Sequence, residues 1–404
     1  MAMPEVEIGW LGWTRSGMIT EGSLGLEVVW DGKQLTGARV RSGRPLLASR
    51  VLEGASARHA IGLVPRLFAL CGRAQSVAAA AALEAASGEC ARDEPRGARE
   101  AMLAVECAHE HLWRLLVDLP GLLGQPARLG AFGAIRRRLQ DAQRRLVSPS
   151  AWWGDADGFP RPEAWRSLAG EVSDFLAAEL LGTDCARFLR LCGGGEAERW
   201  MRSGAAAAEL LGGLWDRPAG RSDVASLRLP EEDVLAGEIA PAMQASDAFL
   251  AAPVLGGAPA HTGALARQAA RIAGTAAARG ATVGVRLLAR VVDLAALPQR
   301  LCASCEGEPV EPWLRSLPLP GGRGVAAVET ARGVLIHLVE LAGERVARYR
   351  ILAPTEWNFH PEGAFVRGLE ATPARDEGEA RRSAALLAHA LDPCVACEIA
   401  VRHA

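Results

Sequence analysis

Two periodicities divide this chain. From Leu46 to about residue 300, apolar residues recur three and four positions apart, as in helices that bury one face; outside that span they alternate, as in half-buried strands. Near the N-terminus, alternating stretches at 24–30 and 35–40 flank Asp31-Gly32, which predicts a hairpin over 24–40. The spacing then predicts helices over 65–86, 98–119, 129–146, 163–181 and 262–297, the last broken at Gly280. The alanine run at 78–82 reads as a helix packed at close quarters, since alanine forms helix best and lets neighbours approach. Clusters of Gly, Pro and Ser mark loops at 120–128, 148–162, 193–195 and 254–261. After Pro318-Leu319-Pro320-Gly321-Gly322, alternation returns over 325–330, 333–341 and 345–353, a β meander that turns at Ala342-Gly343-Glu344. A last helix over 381–390 leads into Asp392-Pro393-Cys394-Val395-Ala396-Cys397. Sheet signals at both ends with helices between give an α+β fold, mainly helical. It reads as one domain over 1–404: hairpin 24–40, helical core 46–300, meander 325–353 and a terminal helix ending in the cysteine pair.

Composition narrows the partners. Of the 404 residues 50% are hydrophobic and 23% charged, ordinary values for a globular chain with a large core. The net charge of −2 offers no basic surface for nucleic acid. Met1-Ala2-Met3-Pro4-Glu5-Val6-Glu7 has neither the basic nor the apolar region of a secretory leader, and no apolar run reaches the about 20 residues that span a membrane. Nine cysteines, an odd number without such a leader, imply free thiols in a reducing cytoplasm.

Candidate chemistry concentrates in those cysteines. Cys394 and Cys397 place two soft sulfurs about one turn apart, presented from the bend that Asp392-Pro393 imposes. Cys-x-x-Cys alone serves zinc sites and redox motifs alike. A second pair, Cys302 and Cys305, would complete a four-thiolate zinc set with Cys394 and Cys397, a structural alternative. No thioredoxin-like βαβ unit surrounds either pair, which disfavours thiol redox chemistry. Cys90, Cys107, Cys185 and Cys192 stand singly in or beside helical stretches and read as packing.

Several segments, in order, resemble the large subunit of nickel–iron hydrogenases. Ile19-Thr20-Glu21-Gly22-Ser23 resembles that family's Arg-Ile-Glu-Gly-His opening, and Leu70-Cys71-Gly72-Arg73-Ala74 its Arg-Ile-Cys-Gly-x-Cys motif. Ala108-His109-Glu110-His111 is similar to the His-Asp-His helix, and His261-Thr262-Gly263-Ala264-Leu265-Ala266-Arg267 to Val-Gly-Pro-Leu-Ala-Arg. Glu329-Thr330-Ala331-Arg332-Gly333 looks like Glu-Ala-Pro-Arg-Gly, and Pro354-Thr355-Glu356-Trp357-Asn358 like Pro-Thr-Thr-Trp-Asn. The series spans nearly the whole chain and ends at Cys394 and Cys397.

The departures shape what this resemblance implies. In the family four cysteines hold nickel, and two of them bridge to an iron that carries cyanide and carbon monoxide. Cys71, Cys394 and Cys397 match three of those positions; the fourth, a bridging one, is Ala74, and Ala400 replaces the terminal ligand histidine. Losing one of four soft ligands and half the bridge argues against nickel and against hydrogen cleavage. The pattern resembles the HupK/HoxV type of hydrogenase maturation protein, which implies a non-enzymatic scaffold. Such a scaffold would transiently hold iron with its cyanide and carbonyl ligands on Cys71, Cys394 and Cys397. Implied partners are maturation chaperones, iron-cofactor assembly proteins and the hydrogenase large-subunit precursor, with neither nucleic acid nor membrane. Arg332 matches the arginine that approaches a cyanide in the family, and Glu21 is a further candidate facing the site. A catalytic or hydrogen-binding subunit with an altered metal site is the alternative.

Overall fold

The computed structural model describes residues 22–43, 47–68, 70–88, 93–145, 162–306 and 310–404. Glu21, Cys90 and the expected loop over 148–161 lie outside the described residues, as does the side chain of Cys305. The expected hairpin forms from β1 (Ser23–Trp30) and β2 (Leu35–Ser42), paired antiparallel. Asp31 closes its turn: Oδ1 accepts from the backbone N–H of Lys33 and of Gln34, each at 2.8 Å.

The stretch 65–86 is two helices rather than one. Ala57–Leu67 carries Pro65 in its last turn, and Gly72–Ala86 begins after a break at Phe68. Gly72 lies so close to the earlier helix that a Cβ there would meet the Pro65 carbonyl at 3.3 Å. That break leaves Cys71 as the N-cap residue of the second helix. Asp93–Trp113 runs on through a wide π turn at Arg114–Asp118, and Val283–Glu306 packs against it and against Pro162–Leu176. Gly280, with φ of 71°, breaks the chain before Val283 as its position suggests.

The segment 254–261, read as loop, is instead part of a small sheet. There β3 (Ala225–Leu227) lies parallel to β5 (Ala258–Thr262), which also pairs with β4 (Val254–Leu255) across Gly256-Gly257. Both glycines take positive φ, 57° and 77°, which suits a tight turn. These strands are too short, and too interrupted by Pro253 and Pro259, to show a period.

The meander has four strands in sequential order: β6 (Leu314–Leu319), β7 (Arg323–Thr330), β8 (Gly333–Ala342) and β9 (Arg345–Leu352). Its additional strand, β6, lies at the sheet edge, where Pro318 is tolerated. Alternation along β7 and β8 feeds two cores. Ala326, Val328, Leu335 and Val339 face the main core with the Gly72–Ala86 helix, while Val325, Ala327, Val334 and Ile336 face Leu235, Ile239 and Met243. The helix lies directly on β7, since a Cβ on Gly324 would come within 2.2 Å of the Ala82 carbonyl. The alanines at 78–82 are therefore all fully buried, as their run suggests.

After the helix Glu377–Leu391 the chain turns into β10 (Ala396–His403), which lies parallel to β1 in the order β10-β1-β2. This strand was not expected. Cys397 falls opposite Leu24 in its register. Among the described residues no helix is long and apolar enough to cross a membrane.

Candidate functional site

Two backbone devices bring the distant cysteine motifs to one place. At Cys71 the new helix is fixed from outside, because Glu106 accepts from the N–H of Arg73 and of Ala74, each at 2.9 Å. Burial pushes the Glu106 carboxyl up to about 7 against the pull of those two amides. At the other motif Asp392 takes the left-handed conformation, φ 56°, ends the Glu377–Leu391 helix and sends Pro393-Cys394 across the site. Thr355 steadies Cys394: its Oγ lies 3.1 Å from the sulfur and accepts from the Cys394 N–H at 3.3 Å.

Cys394 is close enough to both Cys71 and Cys397 for a negative sulfur there to disfavour charge on each of them. Burial is the largest effect at both ends, raising Cys71 well above the ordinary thiol range and Cys397 to about 12. Arg332 opposes this. It is buried, its Nη2 donates to Glu110 Oε2 at 2.7 Å, and its positive field acts on the sulfurs of both Cys71 and Cys394. A hydrogen-bond chain reaches Cys71 from the meander. The Tyr349 hydroxyl pairs with His337 Nδ1 at 2.7 Å, His337 Nε2 with Gln75 Oε1 at 2.8 Å, and Gln75 Nε2 donates to the Cys71 sulfur at 3.6 Å. The last link fixes the others: with the Gln75 amide nitrogen turned to sulfur, its oxygen accepts from Nε2–H, so Nδ1 accepts from the hydroxyl.

Asp392 anchors the floor of this site. Its Oδ1 accepts from Arg114 Nε at 2.8 Å, and Arg290 and Arg332 stand 3.4 and 3.6 Å from its oxygens. These three guanidiniums hold the carboxyl well below the usual range despite full burial. Asn358, left without a role by the sequence, ties three segments together. Its Oδ1 accepts from Thr262 N at 2.8 Å, and its Nδ2 donates to the carbonyls of Arg332 at 3.2 Å and Leu391 at 3.1 Å.

The structure thus gathers Cys71, Cys394, Cys397 and Arg332, and adds Glu106, Glu110, Arg114 and Asp392. Glu110 had a signal, its place in the His-Glu-His segment. Glu106 had none, since its task is to cap another helix.

A different set of donors lies closest together. Among the described residues Cys107, His111 and Asp293 form the only trio of metal-donor atoms within 4.8 Å of one another; the thiols of Cys71, Cys394 and Cys397 are spread wider. That buried trio does not suit a cation. Asp293 is already held by Arg267, whose Nη2 and Nε donate to it at 2.7 and 3.2 Å, by Gln268 at 2.8 Å and by His111 at 2.9 Å. Of the single cysteines, Cys107, Cys185 and Cys192 are buried, as packing residues would be. Cys302 is partly buried, and the side chain of Cys305, its partner in the zinc alternative, lies outside the described residues.

The fold is that of nickel–iron hydrogenase large subunits. The model of the nickel-dependent hydrogenase family matches residues 241–400. The Ni-Fe-Se hydrogenase from D. vulgaris Hildenborough superposes with a TM-score of 0.59 at 15% identity, over 91% of this chain and 94% of that one. The Ni-Fe-Se hydrogenase from Desulfomicrobium baculatum gives 0.60 at 14% identity, over 91% and 95%. Sequence similarity narrows the class. The chain is 33% identical to the hydrogenase expression/formation protein HupK of Rhizobium leguminosarum bv. viciae over 96% of its length and 98% of that protein's. It is 32% identical to the hydrogenase expression/formation protein HoxV of Cupriavidus necator over 87% and 90%. The chain belongs to the HupK/HoxV family of hydrogenase expression/formation proteins.

Proposed function

We propose that this protein acts in hydrogenase maturation as a non-catalytic cytoplasmic scaffold. Its cargo is an iron unit with cyanide and carbon monoxide ligands, held on Cys71, Cys394 and Cys397 and then passed to the hydrogenase large-subunit precursor. Its partners are that precursor, the maturation chaperones and the proteins that assemble the iron unit. Relatives of full length that carry the name of hydrogenase expression/formation proteins support the role.

One observation carries the finer reading: three cysteines and Arg332 remain together where Ala74 has removed the fourth thiolate. Nickel wants the full soft set, whereas a low-spin iron already carrying strong-field diatomics needs fewer protein ligands. A guanidinium beside the sulfurs suits anionic cyanide. Because burial keeps Cys71 and Cys397 protonated, loading releases protons and unloading recovers them. Thiols spread wider than a closed cage suit a cargo that must leave.

Infrared spectroscopy and metal analysis of protein purified anaerobically from its own host test this. Bands of iron-bound carbonyl and cyanide, with iron and without nickel, are expected. Cys71→Ala, Cys394→Ala and Cys397→Ala should each lose the bands and abolish maturation of the host's hydrogenase while still folding, and Cys302→Ala should do neither. Nickel and iron together would favour an altered catalytic subunit, and a carrier without diatomic bands would overturn the scaffold reading.

A further inference from the structure

Behind Arg332 lies a cluster of cations that the proposed function leaves unused. The helix Val283–Glu306 carries Arg286 and Arg290 one turn apart among apolar residues, and both are buried, 4% and 3% exposed. With Arg332 and Asp392 they line a small cleft, closed on another side by Thr262-Gly263-Ala264. Three guanidiniums meet one carboxylate there, and that carboxylate is already engaged by Arg114.

Arg286 is the anomaly. Among the described residues it has no carboxylate partner; Nε donates to the Ala281 carbonyl at 3.0 Å and Nη2 to Ser222 Oγ at 3.4 Å. Burial alone draws its pKa down to about 10. It also sits in the first turn of its helix, where the backbone dipole disfavours a cation. Nearby, among the described residues, Arg290 Nη1 has no acceptor, and Arg332 Nε and Asp392 Oδ2 make no hydrogen bond, only ion-pair approaches of 3.6 Å to Asp392 Oδ1 and 3.4 Å to Arg290 Nη2. An uncompensated buried charge weakens a fold, so packing gives no reason for the placement of Arg286.

We propose that the cleft binds a small oxyanion carrying a donor hydrogen, such as hydrogen phosphate or bicarbonate. Arg286, Arg290 and Arg332 donate to its oxygens, and Asp392 Oδ2 accepts its O–H. The site shares Arg332 with the thiols but does not depend on what they hold.

The test uses full-length protein, thermal unfolding, and millimolar phosphate, bicarbonate or sulfate against chloride at constant ionic strength. A ligand of the folded state raises the midpoint with the logarithm of its concentration. General salting-out by phosphate or sulfate needs far higher concentration and ignores any single arginine. Phosphate or bicarbonate should raise the wild-type midpoint, and which of them does so identifies the anion. Arg286→Gln should be at least as stable as wild type without anion and should lose at least tenfold in anion affinity. If Arg286→Gln does not fold, Arg290→Lys, which keeps the charge but not the fork, should show the same loss of affinity. No response to phosphate or bicarbonate would overturn the site, as would a response identical in the variants. A less stable Arg286→Gln with an unchanged response would make Arg286 structural and overturn it too. Sulfate equal to phosphate would overturn the part assigned to Asp392.

Discussion

At the scale of single residues, this protein keeps several histidines neutral by burying them, and His337 shows the consequence. The ring is fully enclosed between Tyr349 and Gln75, and burial draws its pKa from 6.5 down to about 3. In the unfolded chain it takes up a proton near 6.5; in the folded protein it does not. Its stabilising contribution is therefore complete above pH 6.5 and drains away as pH falls toward 3, at about 1.4 kcal/mol per unit. His111, His261 and His389 are shifted in the same direction by burial, so the acid loss is shared. Urea unfolding between pH 6.5 and 4.5 should show stability falling steeply. In His337→Gln the slope should be shallower by about one proton; an unchanged slope would mean the ring is not held neutral.

At the scale of elements, the thiol site is a junction of segment ends, and Asn358 holds three of them. Thr262 at the end of β5, Arg332 between β7 and β8, and Leu391 at the end of the Glu377–Leu391 helix all bond to its side chain. Removing a buried amide leaves a buried N–H and two carbonyls without partners. Asn358→Ala should cost about 2–4 kcal/mol in urea unfolding; a loss under about 0.5 kcal/mol would show that water replaces the amide. None of this was legible in the sequence, where Asn358 had no visible partner. The cysteines and Arg332 stood out as candidates through segments that resemble the hydrogenase large subunit, whereas Glu106 and Arg114 act through contacts between elements. One further signal is readable: Arg286, Arg290 and Asp293 form a polar stripe at helical spacing in the otherwise apolar first half of the Val283–Glu306 helix. Long alternating strands in the hairpin and meander were equally plain. The two-residue and five-residue strands β4 and β5 carry too few positions for a period to appear.

At the scale of the whole molecule, the site rests on pairing of the two ends of the chain. β10 is a terminal strand that alternates weakly, with Cys397, Ile399 and Val401 only somewhat less exposed than their neighbours. It runs beside β1 from Ser23–Ala396 to Trp30–His403, so eight residues of ladder connect segments more than 300 residues apart. Leu24, Leu26 and Val28 of β1 are fully buried in the main core, next to partly buried Cys397, Ile399 and Val401. The ladder therefore anchors the Cys394–Cys397 segment to the hairpin, while the Glu377–Leu391 helix anchors its other end. Deleting residues 396–404 would expose one edge of β1 and uncover apolar side chains beneath it. Hydrogen exchange on the truncated protein should show lost protection across β1 and early opening of the segment around Cys394. The meander and the Val283–Glu306 helix, which pack chiefly on other elements, should stay protected. If β1 kept its protection after the deletion, the hairpin would be stable by itself, and the ends of the chain would not be what holds the thiol site together.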